Sequence, residues 1–116
     1  MSFAPNLAEV SVETLAQRMA AAPDTLQLLD VREPQEVAIA SVPGFMNVPL
    51  SQSAQWSATL PTQLDPHGET YVICHHGMRS AQMCHWLMQQ GFTQVQNVAG
   101  GIDAYAVVVD PTIPRY

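Results

Sequence analysis

Two hydrophobic rhythms alternate along the chain. Leu26-Gln27-Leu28-Leu29-Asp30, Phe45-Met46-Asn47-Val48, Thr70-Tyr71-Val72-Ile73 and Gln94-Val95-Gln96-Asn97-Val98 are short and rich in apolar side chains, and they predict strands. Ala8-Glu9-Val10 predicts a short first strand. Between these runs the spacing is helical. Val12, Leu15, Met19 and Ala20 share one face, Ser11 stands at the N-cap position, and Pro23 closes the helix. Pro34 is placed to open a short helix through about Ala40. Ser51 is expected to cap a helix that runs to about Leu60 and is ended by Pro61. Ser80 to Gln90 predicts a helix stopped at Gly91, and Gly100-Gly101 turns into another from Ile102 to about Val108. Val42-Pro43-Gly44 and Asp65-Pro66-His67-Gly68 read as turns, and Asp110 to Tyr116, with two prolines, as an extended tail.

Strands that alternate with helices predict an α/β fold with a mainly parallel sheet, covered by helices on both faces. Neither an internal repeat nor a linker interrupts the pattern. The expectation is one domain over residues 1–116, with its core at about 8–108 and the tail at 109–116. Ligands of such sheets bind beyond the carboxyl ends of strands. Cys74 and Asp30 both lie at such ends, so their loops are expected to be neighbours.

The loop Cys74-His75-His76-Gly77-Met78-Arg79-Ser80 carries the candidate chemistry. A cysteine sits where a strand ends, and a helix opens a few residues later. The first N–H groups of a helix have no internal partner, and that end carries partial positive charge. Gly77 admits backbone angles closed to other residues, and successive amides in such a turn form a nest for a negative atom. A thiolate is stabilised in this setting. Arg79 adds a permanent charge at the far end. Four residues separate Cys74 from Arg79. A loop one residue longer would enclose a whole phosphate. The shorter one suits a single sulfur atom carried on the cysteine, which speaks against a phosphatase or an arsenate reductase.

Composition sharpens this picture. With 116 residues, 47% of them hydrophobic, the chain has apolar material for one modest core. Ten acidic residues against four arginines, and no lysine, give a net charge of −6. That argues against nucleic acid and against anionic membranes, and it leaves any anionic substrate to be drawn by the local field of the loop. Nine residues lie between Cys74 and Cys84, and the intervening helix is expected to keep them from forming a disulfide. Met1 to Val10 lacks a basic start and an apolar run, and no stretch is long and apolar enough to span a bilayer. A reducing cytoplasm is the expected location.

Three stretches, in this order and at these separations, resemble the rhodanese family over nearly the whole chain. They are Leu28-Leu29-Asp30-Val31-Arg32-Glu33-Pro34 with Glu36; Val42-Pro43-Gly44 with Asn47-Val48-Pro49-Leu50; and Val72-Ile73-Cys74 through Arg79-Ser80 with Gly91-Phe92 and Gly100-Gly101-Ile102-Asp103-Ala104. Ser41 stands where the family often has histidine, and Tyr105 where it often has tryptophan. The resemblance implies a rhodanese-like fold and sulfur transfer by double displacement. Cys74 would be the nucleophile, attacking a sulfane sulfur of thiosulfate or a related donor and becoming a persulfide. His75, His76, Gly77, Met78, Arg79 and Ser80 would form the active-site loop, with its amides as an electrostatic cradle. Asp30 and Arg32 would support the pocket edge. Cyanide or a thiol, on a small molecule or a protein, would take the sulfur. No metal and no organic cofactor is implied. The rival reading is a persulfide carrier or regulatory module that exchanges sulfur only with protein partners.

Several residues admit two readings. Arg79 can bind the anionic end of the donor or brace the loop against Asp30 or Glu33; both fit a guanidinium with five donors. His75 and His76 either line the pocket mouth or face solvent. Adjacent histidines in a tight loop cannot easily point at one ion, which weighs against a metal. Cys84 shares a helical stripe with Leu87, Met88 and Gly91, which makes it a core residue, with a resolving thiol as the alternative.

Overall fold

All four residues of Thr70–Ile73 are buried, and this strand lies in the middle of the sheet. The computed structural model describes residues 7–116. Its elements are β1 (Glu9–Val10), α1 (Val12–Ala21), β2 (Gln27–Asp30), α2 (Pro34–Ile39), β3 (Met46–Asn47), a 3-10 turn at Leu50–Gln52, α3 (Ser53–Trp56), α4 (Leu60–Gln63), β4 (Thr70–Ile73), α5 (Met78–Gln89), β5 (Val95–Val98) and α6 (Gly101–Val108). The five strands lie in the order β1-β5-β4-β2-β3. Every pairing is parallel. The fold is α/β with a parallel sheet, as the alternation of rhythms predicts.

A central parallel strand is buried on both faces, so it reads as a continuous apolar run rather than an alternating one. Tyr71 and Ile73 enter a core with Val12, Leu15, Val98, Ile102 and Tyr105, under α1 and α6. Val72 and Cys74 enter the opposite core with Leu29, Met83, Cys84 and Leu87, under α5. Successive side chains of a strand point to opposite faces, and the two clusters follow that rule. Cys74 thus continues the inward face of β4 one residue past the last strand pairing.

The boundaries show what local signals resolve. Ser11 caps α1, its side chain accepting from the Thr14 N–H at 3.1 Å. α2 begins at Pro34, and Glu33 and Glu36 form a capping box across its first turn. The helix expected from Ser51 to Leu60 is not continuous. It is a 3-10 turn, a four-residue α3, and a separate α4. Pro61 does not end a helix there. It sits in the first turn of α4, where a missing N–H leaves no bond unmade. Tertiary contacts decide the break: the Trp56 indole N–H donates to the Pro49 carbonyl at 2.7 Å, while Leu60 turns into the core with 2% of its surface exposed. Trp86, half-buried, meets the edge of Trp56 at 5.3 Å. α5 begins at Met78 rather than Ser80.

Candidate active site

The loop after β4 is held from beneath by the start of α6. The Ile102 N–H donates to the Cys74 carbonyl at 2.8 Å, and the Asp103 N–H to the His75 carbonyl at 3.2 Å. Two of the unpartnered amides that every helix start presents are used here to fix the loop. This close approach demands glycine at 101, because a Cβ there would collide with both carbonyls, and its φ of +61° is left-handed.

The loop itself closes on the cysteine sulfur. Gly77, at φ +107°, is the N-cap of α5, and its N–H donates to Cys74 Sγ at 3.0 Å. Ser80, in the first turn of α5, places Oγ 3.2 Å from the same sulfur. Cys74 and Ser80 are both buried, at 1% and 0% exposure. Ser80 Oγ also contacts Asn97 Oδ1 from β5. A hydroxyl has one proton to donate. It therefore serves either Asn97 or the sulfur. Opposite a thiol, which donates, it turns to Asn97; opposite a thiolate, which only accepts, it turns to the sulfur.

Asn97 is fixed in turn. Its Nδ2 donates to the Gly77 carbonyl at 2.9 Å and to Glu9 Oε2 at 3.3 Å. It is 1% exposed. Asn97 thus ties the strand edge, the glycine turn and Ser80 together. It is not among the site residues expected from the sequence. A polar side chain inside an otherwise apolar strand is the signal that marks it, since buried polar groups need partners.

Arg79 pairs with neither Asp30 nor Glu33. It grips Glu36 of α2 with two nitrogens, at 2.6 and 2.9 Å. The physical reason is reach. α2 turns Glu36 towards the loop, whereas the Asp30 carboxylate is occupied by Arg32 at 2.7–3.2 Å through both Nε and Nη2. Arg79 holds the Glu36 carboxyl down at about 2. Arg32 is fully buried and also donates to the carbonyls of Ala40 and Glu36. Asp30 and Arg32 therefore form the wall between the β2 loop and α2, without touching the sulfur. The two loops are neighbours, joined through Glu36.

The histidines differ. His75 is half-buried and stacks on His76 at 4.0 Å, and burial followed by the His76 charge pushes its pKa down. Its Nε2 is buried without a hydrogen-bond partner. His76 is exposed, and Met78 is 82% exposed at the start of α5. Among the described residues, no group of three or more His, Cys, Asp or Glu side chains is placed to hold a metal ion. Cys84 is fully buried, and burial pushes its thiol up to about 12.

Sequence and fold comparisons place the chain among known proteins. The Rhodanese-like domain family matches residues 11–107. The chain belongs to the rhodanese-like family. It is 50% identical over 93 residues to the Rhodanese-like/PpiC domain-containing protein 12, chloroplastic, of Arabidopsis thaliana, spanning 80% of this chain and 31% of that protein. It is 37% identical over 98 residues to a sulfurtransferase of Allochromatium vinosum, spanning 84% of this chain and 87% of that one. The crystal structure of a rhodanese-related protein from Thermoplasma volcanium superposes with a TM-score of 0.74 at 28% identity, over 94% of this chain and 99% of the other. This rhodanese-like chain thus spans under a third of its Arabidopsis relative and most of the Allochromatium one. No helix among its described residues is long and apolar enough to cross a membrane.

Proposed function

We propose that this chain is a sulfurtransferase that moves a sulfane sulfur from thiosulfate or a related donor to a thiophilic acceptor through a persulfide on Cys74. The observation that carries the reading is the cradle of the Gly77 amide and the Ser80 hydroxyl, at 3.0 and 3.2 Å around Cys74 Sγ. Two donors aimed at one sulfur stabilise its charged form, and they are in place before any substrate arrives. The family membership and the Allochromatium relative support the same class of reaction.

The thiolate of Cys74 attacks the outer sulfur of thiosulfate. A new S–S bond forms, the old one breaks, and sulfite leaves with the bonding pair. The terminal persulfide sulfur then lies near the loop amides. Cyanide or a thiolate attacks that sulfur, takes it as thiocyanate or a new persulfide, and returns the Cys74 thiolate. Covalent catalysis of this kind replaces one difficult transfer with two easier ones. Because Cys74 is 1% exposed, the reagent that reaches it must present a small atom, which a sulfane sulfur and cyanide both do. Arg79 lies at the far end of the loop, paired with Glu36, and its guanidinium keeps further donors with which to bind the sulfonate end of the donor. The cycle needs a reduced thiol, so a reducing compartment such as the cytoplasm suits it.

A carrier reading has one observation in its favour. Met78, beside the cradle, is 82% exposed, which gives a protein partner an apolar contact next to the cysteine. Intact mass after thiosulfate separates the two. A gain of one sulfur at Cys74, removed by cyanide with release of thiocyanate and absent in Cys74→Ser, supports the enzyme. Loading only from a protein persulfide supports the carrier. Loading of Cys74→Ser at the parent rate overturns both.

A further inference from the structure

Segment 110–116, expected as an extended tail, returns to the active-site loop. Ile113 is buried in the core under α1 and α6. Arg115 pairs with Asp103 of α6 at 2.9 and 3.2 Å. These anchors bring Tyr116 against His75, ring on ring, at 4.1 Å and 7° between planes. His76 stacks on His75 at 4.0 Å. Two rings cannot share one face of an imidazole at that distance, so His75 lies between His76 and Tyr116.

The phenol hydroxyl does separate work. It accepts from Arg32 Nη1 at 2.9 Å and donates to Glu36 Oε2 at 2.8 Å. Glu36 is the carboxylate that Arg79 grips. One line of hydrogen bonds therefore runs from Asp30 through Arg32, Tyr116 and Glu36 to Arg79, across the ends of two neighbouring strands. A carboxylate held by a phenol on one side and by a backbone amide on the other (the Glu33 N–H, 3.0 Å from Oε1) has little freedom to move. The guanidinium that it grips is fixed with it. Fixing a charged side chain before the ligand arrives removes the ordering cost from the binding step.

We propose that Tyr116 is a positioning residue of this site: its ring fixes His75, and its hydroxyl fixes Glu36, so that Arg79 stands in one place beside the Cys74 loop and favours an anionic donor. The donor preference rests on the sulfur-transfer reading, but the placement of Arg79 does not. In a chain of net charge −6, a single well-placed cation is what lets an anion approach.

Tyr116→Phe keeps the ring and drops the hydroxyl; Tyr116→Ala drops both. Neither changes the charge. Cys74 is alkylated by anionic iodoacetate and by neutral iodoacetamide, and the ratio of the two rates reads the local field. The ratio falls in both variants, by on the order of threefold to tenfold, the scale of one modest hydrogen bond. The thiosulfate concentration that half-saturates single-turnover sulfur loading rises by a similar factor, while the plateau rate is retained. The His75 titration followed by NMR is unchanged in Tyr116→Phe and moves up in Tyr116→Ala, as the ring becomes hydrated. An unchanged alkylation ratio in a folded Tyr116→Phe overturns the proposal, even where thiosulfate loads the parent. A falling ratio in a chain that thiosulfate cannot load keeps the role of Tyr116 and overturns the thiosulfate reading instead.

Discussion

Arg79 and Glu36 are joined by two hydrogen bonds, 2.6 and 2.9 Å long, that span the loop after β4 and the helix after β2. Forty-three positions separate the two residues in the chain. The pair therefore closes a long loop of backbone as well as placing a cation at the site. It is partly exposed, with 37% of the Arg79 side chain and 19% of the Glu36 side chain reaching solvent, so its worth is modest.

The pair sets a first pH dependence. Its carboxyl lies at about 2 in the fold, against an ordinary value of 4.5, chiefly because Arg79 donates to it. A carboxyl depressed by folding contributes stability above its unfolded value. That contribution fades as pH falls from about 4.5 towards 2. Glu36→Gln is expected to lower stability by about 1 kcal/mol at neutral pH, after discounting for exposure. The difference from the parent should shrink through that acid window. Urea midpoints at several pH values check this. A difference that stays constant down to pH 2 would exclude the ion pair as its source.

Ser80 and Asn97 were not equally visible before the structure was known, and the contrast explains what a sequence can show. The Cys74 loop, β4 and the α/β alternation are local: each is written in neighbouring residues whose rhythm or turn chemistry has one outcome. Ser80 belongs to that local stretch. Asn97 and Glu36 reach the loop from 17 and 43 positions away along the chain, and Tyr116 meets Glu36 across 80. Nothing in their own neighbourhoods says which loop they meet. Asn97 carried one usable signal, a polar residue in a buried strand. Tyr116 carried none, because Pro111 and Pro114 before it describe only an extended backbone. The break between α3 and α4 was hidden for the same reason, since Trp56 and Leu60 are placed by tertiary contacts.

Ser80→Ala removes the hydroxyl that lies 3.2 Å from the Cys74 sulfur. It also leaves Asn97 Oδ1 buried without that partner. A hydrogen bond to a charged group is worth about 1.5–3 kcal/mol, so loss of this one should slow persulfide formation by roughly tenfold or more. Stability should fall by about 1–2 kcal/mol, the cost of an unpaired buried acceptor. Stopped-flow loading with thiosulfate and thermal melting read the two effects apart. Unchanged loading with lowered stability would limit Ser80 to a structural role.

Gly101→Ala tests the support under the loop. The added Cβ would meet the carbonyls of Cys74 and His75, and a left-handed φ of +61° strains any side chain. α6 must then withdraw, and its amides release those carbonyls. The variant is expected to lose about 2–4 kcal/mol, within the range for backbone clash and strain. Amide hydrogen exchange at Ile102 and Asp103 should rise more than exchange in α1, which lies further from the clash. Uniform loss of protection would mean that the whole fold, rather than the loop support, is weakened.

Cys84→Ala separates packing from chemistry at the second cysteine. Cys84 is fully buried under α5 beside Leu87 and Met83, and burial is the first cause that pushes its thiol up to about 12. A thiol protonated at neutral pH is a poor nucleophile, so it should not attack a persulfide on Cys74. Removing its sulfur leaves a small cavity, with an expected cost of about 1–2 kcal/mol. Sulfur loading and release by cyanide should proceed at the parent rates. If Cys84→Ala instead holds its persulfide far longer than the parent in the absence of any acceptor, then Cys84 reaches Cys74 through a local opening of α5 and acts as a resolving thiol. Mass spectrometry of the idle persulfide, with time, decides between the two: a resolving thiol leaves a Cys74–Cys84 disulfide and hydrogen sulfide, whereas a packed core residue leaves the added sulfur in place.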